Sequence, residues 1–244
     1  MRLPWRRTRP WPTPDPDVPW RTARFCVVDL ETTGLRADAD EIVSIGVAEV
    51  AEGRITDRTW YRVVRPSRPI GEEAMRIHAL TAAELTGAPP IGELIEPLTA
   101  YLADSFFVAH AAWFERGFLD RVLEPLGQRL PDALVDTAAL ARRLGLANPD
   151  GEREPSLEAL ALRLGLPVHT PHHALGDAMT TALLLLAFGS RLEADRTEVT
   201  VGDLLTWSRE TRGPTPSSGT ERRHQRRRAG PRRRRPPPGS GCAG

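Results

Sequence analysis

The stretch Val27-Val28-Asp29-Leu30-Glu31-Thr32-Thr33-Gly34 constrains this chain more than any other, because an apolar, β-branched run ends in two carboxylates two positions apart. Such a run reads as a strand, and side chains along a strand alternate between its faces. Asp29 and Glu31 therefore share one face while Leu30 turns to the other. Two like charges on one face suggest a cation between them. Taken alone, an Asp-x-Glu at a strand end is more often a solvated terminus, so the rest of the chain must supply partners. The Thr-Thr-Gly that follows offers two hydroxyls and then a residue without Cβ, where a ligand can approach the backbone closely.

Apolar runs at residues 25–30, 42–50 and 60–64, broken at 37–40 and at Glu52-Gly53, predict three consecutive strands in an antiparallel meander. Helical periodicity follows. Thr81 caps a short segment through Leu85, and a longer helix covers residues 91–103. Residues 106–109 form a short buried strand that delivers His110 to a helix running to about Leu126, where Gly127 stops it. Leu134-Val135 leads into a helix over 136–144, Ser156 caps another through Leu164, residues 172–188 form a long, largely apolar one, and a short helix closes at 201–207. A meander followed by strands alternating with helices predicts an α/β fold, a mixed sheet covered by helices. Such sheets bind ligands at the carboxyl ends of their strands, where Asp29 and Glu31 lie.

The 244 residues divide into a domain of ordinary size, residues 23–208, and two flanks. Residues 1–22 are dense in Arg, Pro and Trp, and residues 209–244 in Arg, Pro, Gly and Ser. Neither composition buries a core, and both are expected to be disordered. The net charge of +1 conceals a division into about +3 in the head, about +9 in the tail and near −11 between them. A run such as Arg232-Arg233-Arg234-Arg235 suits phosphate binding by counterion release, or serves solubility alone. The two cysteines, Cys26 in the first strand and Cys242 in the tail, imply no disulfide framework, so a reducing, cytoplasmic setting is the simplest reading. No stretch is expected to reach the roughly 18 apolar residues of a membrane span, and the head lacks a signal-peptide core.

Two further groups of residues carry chemistry. In Val108-Ala109-His110-Ala111-Ala112-Trp113-Phe114-Glu115, the glutamate occupies the first turn of a helix, where the helix dipole favours a carboxylate with or without a metal. In His172-His173-Ala174-Leu175-Gly176-Asp177, an aspartate sits on an otherwise apolar helix, which is costly unless it is paired or bound to a cation. His172 precedes it by five positions, so both can border one pocket.

Together these segments resemble the DEDD superfamily of 3′–5′ exonucleases, in its histidine-containing subclass, and are similar to the proofreading subunits of bacterial replicative polymerases. The resemblance covers roughly residues 24–188. VVDLETTG matches the first motif, VAHAAWFERGFL the second, and HHALGDA the third in its H-x-A-x-x-D form. It implies a ribonuclease H-like sheet and a site for two divalent cations, Mg2+ or Mn2+. Asp29, Glu31 and Asp177 would hold one cation, with Asp29 bridging to a second beside Glu115. His172 would take a proton from the water that attacks the terminal phosphodiester. Thr32, Thr33 and Leu35 fit contacts to the 3′-terminal nucleotide, Phe114 a base-stacking position, and His78 the family's histidine flanking the substrate. The implied partners are single-stranded DNA or RNA 3′ ends, and a DNA polymerase.

Two residues depart from the family pattern. Ala111 replaces the usual Asn, and Glu115 stands where an Asp is usual, keeping the charge but adding a methylene. Asp136 is expected to cap its helix rather than bind metal. The two readings at this stage are a metal-dependent exonuclease and an impaired module that binds nucleic acid or a polymerase without cleaving. The four carboxylates and His172 favour the first, while Ala111 and Glu115 are the support for the second.

Overall fold

Strand β1 (Arg24–Thr32) lies at the centre of a five-stranded sheet, flanked on one side by the hairpin partners β2 (Ile42–Ala51) and β3 (Arg54–Val63) and on the other by β4 (Phe106–Ala109) and β5 (Val135–Asp136). β1, β2 and β3 pair antiparallel, and β4 and β5 join β1 in parallel. This is the expected meander extended by parallel strands. The computed structural model describes residues 8–68, 70, 75, 76, 78, 80–147, 155–194, 196 and 198–210, all within the unit Met1–Gly213.

The alternation of β1 feeds two cores, one on each face of the sheet. Phe25 and Val27 pack with Ala48, Val50, Phe106 and Val108 beneath α6 (Ala174–Glu193), while Cys26, Val28 and Leu30 pack with Ile45, Val47 and Phe107 on the opposite face. That second core is closed by α2 (Ile91–Leu102) and α3 (Trp113–Leu123), reached after the short α1 (Ala82–Gly87). Asp29 and Glu31 continue the Phe25–Val27 row, so they emerge on the face that α6 covers. α4 (Thr137–Arg143), α5 (Leu157–Arg163) and α7 (Val201–Glu210) complete that first core.

Local chemistry sets the boundaries. Thr81 and Glu84 form a reciprocal capping box on α1, and Ser156 caps α5 through the amide of Ala159. α3 ends at Leu123 and passes into a 3-10 turn, Glu124–Leu126, terminated by Gly127 at φ 69°. β3 begins at Arg54, well before the expected residue 60, because its first half is a half-exposed edge whose polar side chains hide the strand signal.

Three expectations differ from the structure. The head is not uniformly disordered. Residues 8–22 include Arg9–Pro10 paired in parallel with Gln128–Arg129, and Trp20, fully buried in the α6 core. A single large aromatic supplies the burial that the Arg- and Pro-rich composition concealed. α7 runs through Glu210, past the expected boundary at 208, while residues 1–7 and 211–244 fall outside those described. α6 is also long and apolar enough, by length and composition, to cross a membrane, contrary to the expectation that no stretch approaches that size. Half of it is buried, with Ala178, Ala182, Leu185 and Phe188 packed in the first core.

Candidate active site

The carboxyl end of β1 meets the first turn of α6, and there Asp29, Glu31 and Asp177 each present a carboxylate oxygen, all within 4.8 Å of one another. Close approach of helix to sheet makes this possible. Gly46 on β2 is directly opposite Asp29, and a Cβ at Gly46 would lie 2.1 Å from the carbonyl carbon of Ala174. A side chain there would push the start of α6 away from β1. The helix start is fixed from a second direction by His173. Its Nδ1 accepts the amide of Gly176 at 3.4 Å, and its ring stacks on Tyr61 of β3 with centroids 4.2 Å apart.

Glu115, the third residue of α3, is 3% exposed, and its Oε2 has no hydrogen-bond partner among the described residues. Burial pushes its carboxyl well above the ordinary range, and the negative charges of Asp136 and Glu31 add to the effect. Asp29 is raised too, first by burial and then by the charges of Glu115, Asp177 and Glu31. Asp177 is pushed up to about 6, chiefly by burial and by Glu31, although the backbone amide of His172 donates to its Oδ2 at 3.0 Å. A cluster of acids that suppress one another's ionisation, with one buried oxygen lacking a donor, fits a site for hard cations that prefer oxygen ligands. A divalent cation would be held by Asp29, Glu31 and Asp177.

The other expected site residues fall into distinct environments. His78 reaches the cluster: Nδ1 lies 2.5 Å from Glu31 Oε2, an ion-pair distance, and Nε2 lies 3.1 Å from the Thr32 carbonyl. Contact with Glu31 raises the His78 pKa. His172 is exposed, and its φ of 59° places it before the helix rather than within it. The helix therefore starts at Ala174, two residues after the expected start, leaving the His172 ring on a turn at the rim. The Thr32 hydroxyl donates to the Gly34 carbonyl at 2.6 Å, and that of Thr33 accepts the amide of Glu41 at 3.0 Å, so both close the loop after β1. Leu35 at the tip of that loop is 74% exposed. Phe114 is half-buried, its ring 5.0 Å from that of Phe118 and 5.8 Å from that of Trp113.

Gly46, Tyr61 and the full role of Asp136 are absent from the sequence expectations. A glycine inside an otherwise β-branched strand is a signal of close backbone approach, and Gly46 was legible on that ground. Tyr61 carries no such signal, because only the register of β2 with β3 brings it to His173. Asp136 caps α4 as expected, through the amides of Ala138 and Ala139, but also accepts the amide of Ala111 at 3.1 Å.

Fold and site together define a class: an α/β protein with a cluster of three carboxylates, Asp29, Glu31 and Asp177, at the carboxyl end of a mixed sheet. A family model described as Exonuclease matches residues 26–185, and the chain belongs to that family. The expected resemblance to an exonuclease family is thus borne out over residues 26–185. The chain is 34% identical over 173 residues to a PolC-type DNA polymerase III of Thermotoga petrophila, a match covering 70% of this chain and 12% of that protein. It is 33% identical over 194 residues to a DNA polymerase III subunit epsilon-like protein of Rhodobacter capsulatus, covering 78% of this chain and 27% of that one. Among solved structures it is similar to Exonuclease X in complex with 5′ overhanging duplex DNA, with 31% identity and a TM-score of 0.56 over 75% of this chain and 99% of that one. The chain thus spans only a small part of these polymerase relatives.

Proposed function

We propose that the protein is a metal-dependent 3′–5′ exonuclease that hydrolyses the terminal phosphodiester of single-stranded nucleic acid, with DNA as the substrate, and releases nucleoside monophosphates. The observation that carries this reading is the convergence of Asp29, Glu31 and Asp177 within 4.8 Å, with buried Glu115 near enough for its charge to act on Asp29. When bound, two divalent cations lower the pKa of an attacking water and offset charge on the attacking and leaving oxygens. Asp29, Glu31 and Asp177 would hold one cation, and Asp29 with Glu115 would hold the other. His172, exposed at the rim on its own turn, takes the proton from the attacking water. Leu35 presents an apolar surface to the terminal nucleotide, His78 orients Glu31 and borders the substrate, and Thr32, Thr33 and Phe114 shape the pocket wall around it. The likeness to polymerase III proteins supports association with a DNA polymerase and a cytoplasmic setting. The retained carboxylate at Glu115 favours cleavage over a module that only binds.

The test is digestion of matched DNA and RNA oligonucleotides, blocked in turn at each end, with manganese or magnesium. Cleavage from the free 3′ end that is stronger on DNA and lost in Asp29→Ala supports the proposal. Intact oligonucleotides with the parent protein, or cleavage unchanged by Asp29→Ala, reject it.

A further inference from the structure

We infer that Asp136, together with the His110–Thr137 contact beside it, is a positioning device for Glu115 and not only the cap of α4. This inference rests on the metal-site reading above. Asp136 ends β5 and is 6% exposed. Its Oδ1 accepts the amides of Ala138 at 2.9 Å and Ala139 at 3.4 Å, which is all an N-cap requires. The same oxygen also accepts the amide of Ala111 at 3.1 Å, from the turn that leaves the neighbouring strand β4. Capping has no need of that third bond.

Ala111 immediately precedes Ala112, the N-cap of α3. It is held at φ 60°, a left-handed conformation unfavourable to a residue with Cβ, and its carbonyl accepts the amide of Phe114 at 2.9 Å. Glu115 is the next residue. A turn in an unfavourable conformation keeps its shape only where its surroundings hold it, and the bond to Asp136 does so. A parallel tie runs beside it: His110 Nδ1 lies 2.9 Å from the Thr137 hydroxyl and Nε2 lies 2.7 Å from the Pro155 carbonyl. The carboxyl ends of β4 and β5 are thus stitched together by side chains at the point where Glu115 is launched. Among the described residues Glu115 Oε2 has no hydrogen-bond partner, so the backbone that carries the side chain bears directly on its aim. Outer ties of this kind typically contribute 10- to 100-fold in metal affinity or activity.

Asp136→Ser separates the two roles in the full chain. Serine caps a helix as well as aspartate does, but its oxygen sits one bond closer to the backbone and no longer spans to Ala111. The expected result is a metal-free Tm close to the parent's, manganese affinity at one of two sites reduced about 10- to 100-fold by calorimetry, and a lower kcat with KM for a single-stranded oligonucleotide unchanged. Asp136→Asn, which keeps the acceptor oxygen, retains affinity and kcat. Parent-like manganese binding and kcat in Asp136→Ser overturn the inference, as does an equal loss in Asp136→Asn, which would make charge the cause. If Asp136→Ser does not fold, Thr137→Val removes the companion tie and leaves the cap, and parent-like affinity there is equally decisive against it. A parent protein that binds no manganese fails at the earlier reading, and the inference falls with it.

Discussion

Asp29 concentrates the conflict on which the site is built. It lies at the end of a buried row, among three other carboxylates, and its acid form is favoured by burial before any neighbour is counted. Replacing it with Asn removes a repelling charge while nearly preserving shape, so Asp29→Asn is expected to raise the Tm of the metal-free protein and to lower hydrolysis by about 10³-fold. Thermal denaturation in chelator, run beside an oligonucleotide digestion, checks both halves, and a lower Tm would show that the carboxylates do not repel. Gly46 makes the complementary case. Its missing Cβ admits the Ala174 backbone, so Gly46→Ala is expected to cost about 1–3 kcal/mol in urea denaturation and to weaken manganese binding by moving Asp177 away from Asp29. Unchanged stability would mean that α6 can shift without cost.

At the scale of elements, the head segment shows how far composition can mislead. Trp20 is buried against α6, where Gly189 leaves room for its ring: a Cβ there would lie 2.8 Å from the indole. The next residue, Arg21, pairs with Glu193 at 2.8 Å, and the amide of Trp20 donates to the Val199 carbonyl. Trp20→Ala is therefore expected to lower unfolding free energy by about 3–5 kcal/mol, which chemical denaturation measures directly. A change below about 1 kcal/mol would mean that the ring contributes little to the core. The order of elements was legible because the strands alternate and the helices carry caps at Thr81, Asp136 and Ser156. Less legible was anything set by tertiary contact: the docking of Trp20, the polar early half of β3, and the left-handed turn at His172 that delays α6. The candidate site divides in the same way. Its four carboxylates stand in recognisable motifs, whereas Gly46, Tyr61 and the Asp136–Ala111 bond exist only once the strands are in register.

Over the whole molecule, the proposed cation binding would be coupled to folding through the acidic cluster. Asp177 is pushed up to about 6, and Asp29 and Glu115 are also raised above the ordinary carboxylate range, so the folded chain holds these protons more tightly than the unfolded one. His78, raised by Glu31, acts in the same direction. Stability from groups with raised pKa values is greatest below the unfolded values and is lost as pH climbs through the folded ones. The metal-free protein is therefore expected to lose Tm as pH rises from about 4 through about 6 and onward to the raised pKa of His78. Cation binding requires the deprotonated carboxylates, so it releases protons and stabilises more as pH rises. Melting curves of the full chain from acid to neutral pH, in chelator and in excess manganese, are expected to diverge: the chelator series falls with pH while the manganese increment grows. Parallel curves would mean that the raised carboxylates do not bind the cation, and the acidic cluster would then be a source of strain with no ligand to relieve it.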